Sequence, residues 1–503
     1  MFLEHEDESM PSQEELSDYE PLRNTRRSGS AVRSEEEKWF VADRKSNSEE
    51  RETAQVSKAI NLSPEHQDED LVSRKLWLKR GHGATFIAVF LFTLILYARP
   101  SEFYPSPLTA SIAFIVGIVT LVIFVPSQLA VENNLTARPP EVSYVLLLTV
   151  MGLLSIPLAI DPTEAWTTFT DTFIRCIVIF IVMVNVLRTE ARLKAMLLLV
   201  IAVSIWLSVG AINDYRLGLT TVEGYRVGGR GSGIFGNSND MALHLVTITP
   251  IAIALFFGSR LMGKILYGAA AMLMMAAIVL TYSRGAFLAL VTVLFFIVWK
   301  MGGRQRVAIT LTTLLILTVF MILAPGNYFR RLASIFVPSL DPNGSSDMRR
   351  TILFRSIWTA IRHPLFGIGM GNFHYVSFRE LVSHNAYTQV AAEMGIAAAV
   401  FYTMFLVTPI KRLGQVVRET LESKTSAHYH YLAIGLQAAL IAYMVASFFA
   451  SAAYLWYAYY LVAYAVCLRR LYESETGKAV VVESRRAKRK LAAARRIESA
   501  TAG

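Results

Sequence analysis

Apolar runs of similar length, separated by short polar breaks, make up most of the chain beyond residue 80. They lie near 84–98, 107–128, 143–160, 172–187, 195–212, 241–258, 265–282, 286–299, 307–324, 386–410, 430–449 and 452–468. Each approaches the ~20 residues that an α-helix needs to cross hydrocarbon. A helix also satisfies its own backbone polar groups where no water can. Twelve such runs predict an all-α polytopic integral membrane protein. The one long polar interruption, about 325–385, falls between the ninth and tenth runs. Connections of this length inside a compact body are usually functional. Within it, DMRRTILFRSIWTAIRHP (347–364) places Ile352, Phe354, Ile357, Trp358 and Ile361 near helical spacing. That pattern predicts an amphipathic helix along the membrane surface, broken by Pro364 and by Gly367, Gly369 and Gly371.

Composition agrees with the pattern: 53% of residues are hydrophobic and the mean hydropathy is +0.41, too apolar for an ordinary water-soluble globule. The net charge of +10 hides a division, because residues 1–72 hold 19 acidic against 9 basic side chains. Residues 1–75 therefore read as an acidic, solvated cytoplasmic extension without a core, lacking the basic-then-apolar pattern of a cleaved leader. The membrane domain spans 80–470, and 471–503 form a basic cytoplasmic tail. A positive balance in such a protein points to topology and anionic lipid headgroups, not to nucleic acid. Cys176 and Cys467 both fall in apolar runs, so neither a disulfide framework nor a thiolate metal site is expected.

Lys and Arg in the short loops set the orientation. With both ends inside, the inner loops include LRTEARLK (187–194), SRLMGK (259–264), KMGGRQR (300–306) and KRLGQVVRETLESK (411–424), all basic. The outer loops hold no lysine, yet they carry twelve arginines between Arg99 and Arg379. A topology signal would deplete both residue types. Planar guanidinium groups bind phosphate oxygens in pairs, so an arginine-only outer face suggests a phosphorylated ligand.

Three outer stretches carry candidate chemistry. In YRVGGRGSGIFGNSNDMA (225–242), Arg226 and Arg230 precede glycines, and the Asn237–Asp240 turn caps an apolar helix whose free N–H groups could receive an anion. In TYSRGAFLAL (281–290), an abrupt junction between two spans holds Arg284 at the membrane surface. The third stretch is 325–385, which contributes Arg349 and Arg350 and ends at His384, where loop becomes helix. Neutral imidazole accepts a proton near pH 7, which makes His384 the candidate base, with His374 and His363 behind it. Asn385, Gln389 and Glu393 follow at helical spacing and line one face. A carboxylate at that depth should be paired, and Arg175 of the fourth run is the expected partner. No Walker loop, Cys/His cluster, HExxH or nucleophile elbow appears on this face, so neither cofactor nor metal is expected.

SRGAFLAL, HPLFGIGMGNF, SHNAYTQVAAEMG and RGSGIFGNSNDMA, taken together, resemble the O-antigen ligase-like superfamily of bacterial membrane glycosyltransferases over about 200–410. The resemblance implies a GT-C-like fold of about 12 transmembrane helices, with a large periplasmic loop between helices 9 and 10. It implies metal-independent, inverting transfer of a glycan from an undecaprenyl diphosphate-linked donor to an acceptor hydroxyl at the periplasmic face of the inner membrane. The acceptor class stays open between lipid A core (O-antigen ligase), a growing glycan (polymerase) and protein Ser or Thr. By position, His384 matches the family's catalytic histidine, and Arg284 and Arg350 match the arginines on the donor diphosphate. Thr388 stands where members often have Leu, and the acidic extension lies outside the pattern. A transporter or flippase for an anionic glycan is the alternative of another class; it predicts midplane charges and internal repeats, which the sequence does not display.

Overall fold

The computed structural model describes residues 81–220, 224–229, 234–301, 344–423 and 427–476, together with the isolated positions 307, 310 and 333. Expectations for the acidic extension, and for most of the run at 307–324 and of the basic tail, fall outside these residues.

Among the described residues all regular structure is helical. In chain order the main helices are α1 Gly83–Ala98, α2 Pro107–Glu132, α3 Pro140–Ser155, α4 Ile174–Val186, α5 Glu190–Arg216, α6 Ser238–Gly258, α7 Leu261–Leu280, α8 Arg284–Met301, α9 Ser345–Arg362, α10 Ala386–Met394, α11 Ile396–Ser423, α12 Ala427–Ala446 and α13 Trp456–Thr476. Local chemistry sets several starts. Ser106 and Thr109 form a reciprocal capping box before α2, Thr189 caps α5, and Asn237 accepts from the Asn239 N–H at the head of α6; each satisfies donors that a helix start leaves without partners. Among the described residues, ten helical stretches are long and apolar enough to cross a membrane. The chain is thus a multi-pass membrane protein.

Packing sorts the spans into centre and rim. The apolar windows of Ser238–Gly258 and His428–Phe449 are 72% buried, against 12% for Pro107–Glu132. Helices α6 and α12 share the most extensive contact, with α7, α8 and α11 around them, whereas α2 leans chiefly on α1. Helix α13 corresponds to the expected run at 452–468, but it is not among the ten. It is buried from Trp456 to Tyr472 except at Arg470. A helix screened from lipid by protein can carry hydroxyls that find partners, though those of Tyr457 and Tyr464 find none among the described residues. Tyr460 meets the Thr93 hydroxyl at 3.0 Å, and Tyr459 donates to the Ala453 carbonyl at 3.1 Å. At the end of α13, buried Arg469 forks onto buried Glu141 of α3 at 3.0 and 3.4 Å. Arg188 pairs with Glu132 at 2.6 Å at the same end of the bundle.

The expected run at 386–410 is not one helix. It breaks between Met394 and Ile396 at Gly395, whose φ is +91°. A Cβ there would lie 2.3 Å from the Leu365 carbonyl oxygen. The cause is the preceding polar stretch, which folds back onto the break. Ile368 and Gly369 N–H groups donate to the Ala392 and Glu393 carbonyls at 3.0 Å, and Ile396 N–H donates to Pro364 O at 2.9 Å. The glycine-rich loop thereby satisfies carbonyls that the end of α10 leaves open. Helix α9 forms where the apolar spacing places it. It packs on α10 through Ile352, while Phe354, Ile357, Trp358 and Ile361 stay exposed.

Candidate active site

Four separate pieces of chain close a narrow cleft at one end of the bundle, with room for about one water molecule. The head of α6 supplies Asn239 and Leu243, and the α7–α8 junction supplies Ser283, Gly285 and Ala286. Arg349 comes from the head of α9, and Ala446, Phe449 and Ala450 come from the end of α12 and its exit. Two helix starts, α6 and α8, therefore line the cleft beside a guanidinium. Two helix dipole ends and a fixed positive charge in one place suit an anionic group. Gly285 makes the closure possible, because a Cβ there would lie 2.8 Å from the Cβ of Phe449.

Arg284, the first residue of α8, is half-buried between the cleft residues Ser283 and Gly285. Arg226 is buried, and its Nε donates to the Thr281 carbonyl at 2.9 Å while its Nη2 donates to Asn239 Oδ1 at 2.8 Å. It ties its own loop to the α7–α8 junction and fixes a cleft residue. Arg230 lies outside the described residues. Adjacent positions on a helix point ~100° apart, and α9 separates Arg349 from Arg350 accordingly. Arg349 lines the cleft, whereas Arg350 is exposed with its guanidinium 5.7 Å from the Phe354 ring centre.

His384 sits in the connection just before α10, half-buried, with φ at +51°. Its backbone N–H donates to Ser451 Oγ at 2.7 Å, next to cleft-lining Ala450. Burial and then the positive charge of Arg349 pull the imidazole down to about 4. Both causes oppose the cation, so the ring is neutral at pH 7 and free to accept a proton. The other two histidines are placed differently. His374 Nδ1 meets the Gly371 carbonyl at 2.9 Å, its Nε2 lies 3.6 Å from Glu164, and His363 is exposed at the end of α9.

Asn385 caps α10: its Oδ1 accepts from Tyr387 and Thr388 N–H at 2.9 and 3.0 Å. Its Nδ2 is buried without a partner among the described residues. Thr388 Oγ1 meets Ser383 Oγ at 3.0 Å, bracing the residue before His384. Gln389 and Glu393 are buried further along the same face. The expected ion pair between Glu393 and Arg175 does not form. Glu393 instead accepts from the Tyr454 hydroxyl at 2.7 Å and the Phe373 N–H at 3.4 Å, while Arg175 pairs with Asp171, one turn earlier, at 2.5 Å. The α10 break explains the difference, because it turns Glu393 toward the glycine loop and the start of α13.

Sequence reasoning missed Asn239 as a cleft residue, and it missed Ser283, Phe449 and Ser451 altogether. Ser451 stands in FFASAAYLW, a two-residue gap between apolar runs with no pattern to single it out. Among the described residues, no group of three or more His, Cys, Asp or Glu side chains is gathered as a metal ion would require.

A helical multi-pass membrane body with an arginine-lined cleft at one end and His384 beside it is the class that fold and geometry define. Residues 269–403 match the family model of O-antigen ligases, a stretch that holds Arg284, Arg349, Arg350, His384, Asn385, Gln389 and Glu393. The match supports the O-antigen ligase-like superfamily and an O-antigen ligase- or polymerase-type membrane enzyme. No curated protein matches it.

Proposed function

We propose that this protein transfers a glycan from an undecaprenyl diphosphate-linked donor to an acceptor hydroxyl at the periplasmic face of the inner membrane. His384 takes the proton of the acceptor hydroxyl as its oxygen attacks the anomeric carbon. The bond from that carbon to the diphosphate breaks, and its electron pair leaves on the diphosphate oxygen. The anomeric centre inverts in a single displacement. Arg349 and Arg284, with the positive dipole ends at the heads of α6 and α8, hold the diphosphate and the charge that grows on it. Arg350 stands at the exposed rim, where it can meet the donor only before the cleft. The charge that a metal would otherwise offset falls to guanidinium groups and helix starts.

The observation that carries this reading is the placement of Arg349. It lines the same cleft as the α8 start and lies close enough to His384 to depress its basicity. A base and an anion site within one electrostatic neighbourhood match what displacement of a diphosphate by a hydroxyl demands. The test is transfer in proteoliposomes from a lipid-linked oligosaccharide to lipid A core, to a second glycan unit or to a Ser/Thr peptide. The productive acceptor separates ligase, polymerase and protein glycosyltransferase. His384→Ala is expected to cut turnover ~10²–10⁴-fold, the usual worth of a general base, with membrane insertion intact. Full turnover in that variant would refute the assignment.

A further inference from the structure

His384 keeps a left-handed backbone, which side chains bearing a Cβ disfavour and which persists only where the surroundings impose it. A hydrogen bond from outside the stretch reaches this residue: the His384 N–H to Ser451 Oγ at 2.7 Å. The segment bearing Ser451 is itself anchored on several sides. The Tyr443 hydroxyl donates to the Ala452 carbonyl at 2.9 Å, and the Tyr459 hydroxyl donates to the Ala453 carbonyl at 3.1 Å. The Cys176 thiol reaches the Tyr454 carbonyl at 3.3 Å, and the Tyr454 hydroxyl holds Glu393 of α10 at 2.7 Å. Phe449 is pressed against Gly285 at the α8 start. Ser451 therefore offers its oxygen from a fixed frame that also braces both α8 and α10.

We propose that Ser451, outside the matched stretch 269–403, is a positioning residue that holds the His384 backbone so that its imidazole keeps its half-buried seat beside the Arg349-lined cleft. Without the hydroxyl, a half-buried N–H loses its acceptor, and the peptide is free to relax toward negative φ. That rotation swings the ring away from the reacting oxygen. The inference rests on the reading of His384 as the base, and its test separates the two.

The full chain is compared in nanodiscs as wild type, Ser451→Ala, Ser451→Thr and His384→Ala. Ser451→Ala is expected to lower kcat ~10–100-fold, the scale of a misplaced catalytic group, with the KM for donor little changed. Ser451→Thr, which keeps the oxygen, is expected to recover most of the rate. An activity-independent readout is the rate at which diethyl pyrocarbonate modifies His384, followed on the His384 peptide by mass spectrometry. It should rise in Ser451→Ala as the ring leaves its half-buried seat, and return in Ser451→Thr. Should Ser451→Ala fail to insert, Ser451→Cys, whose sulfur accepts poorly, carries the same expectations. Wild-type kcat in Ser451→Ala, or unchanged His384 labelling, overturns the inference even if His384→Ala is inactive. Full activity in His384→Ala, with labelling still raised in Ser451→Ala, removes the base reading and leaves the backbone contact standing.

Discussion

An imidazole held near pKa 4 is a weak base, and the reason it is weak bears on when it acts. Burial is the larger cause and Arg349 the second. A bound diphosphate would offset the Arg349 charge and raise the basicity of His384 only when donor is present, nearer the range where a general base works best. The sign can be checked on the free enzyme. The neutral ring is the active form, so kcat/KM should hold as pH falls and decline only near pH 4. Arg349→Gln removes a positive neighbour, lifts the imidazole part-way toward its ordinary ~6.5, and should move that acid limb upward. Because burial remains, the limb should stop short of 6.5. An unmoved limb in a pH profile of kcat/KM would show that Arg349 does not act on His384.

Short elements at this end are shaped by backbone more than by side chains. Helix α10 has nine residues, too few for stability of its own. It is held by the Asn385 cap at its head and by N–H donors of the glycine loop at its tail. Gly395 is the hinge of that arrangement. An added Cβ would face both a positive φ and the Leu365 carbonyl oxygen at 2.3 Å. Gly395→Ala is therefore expected to destabilise the folded protein by at least ~1–3 kcal/mol, visible as a lowered unfolding temperature in detergent. It should also loosen Glu393 from Tyr454, since the break aims that carboxylate. A variant as stable as wild type would mean that the loop yields freely.

At the scale of the molecule, α13 closes the bundle core, and its far end is locked by a buried charge pair. Glu141 is fully buried and Arg469 is 5% exposed. Removing one partner from such a pair leaves an uncompensated charge, at a cost of ~3–5 kcal/mol. Arg469→Met should thus sharply reduce folded yield, and the double variant Glu141→Gln/Arg469→Met should recover much of it; equal yields for single and double variants would show that the pair is not coupled.

Much of the architecture was legible in the chain. Apolar length located nearly all the described helices, because hydrocarbon leaves the backbone no other solution. The spacing in 347–364 located α9, and the polar passage after it marked the candidate site. The α10 break was hidden because Gly395 lies within a continuous apolar run, and only the loop folding back on it requires a positive φ. The Glu393 expectation failed with it, since helical spacing says which residues share a face but not what that face meets.

Hydropathy, then, determined by itself a membrane-spanning helical protein, and the polar residues near 284, 349 and 384 marked its candidate positions. Tertiary structure alone decided which guanidinium lines the cleft, and that the His384 backbone meets Ser451. The physical reason is that burial in a bilayer is written residue by residue, whereas a hydrogen bond between segments 67 residues apart depends on how separate helices pack.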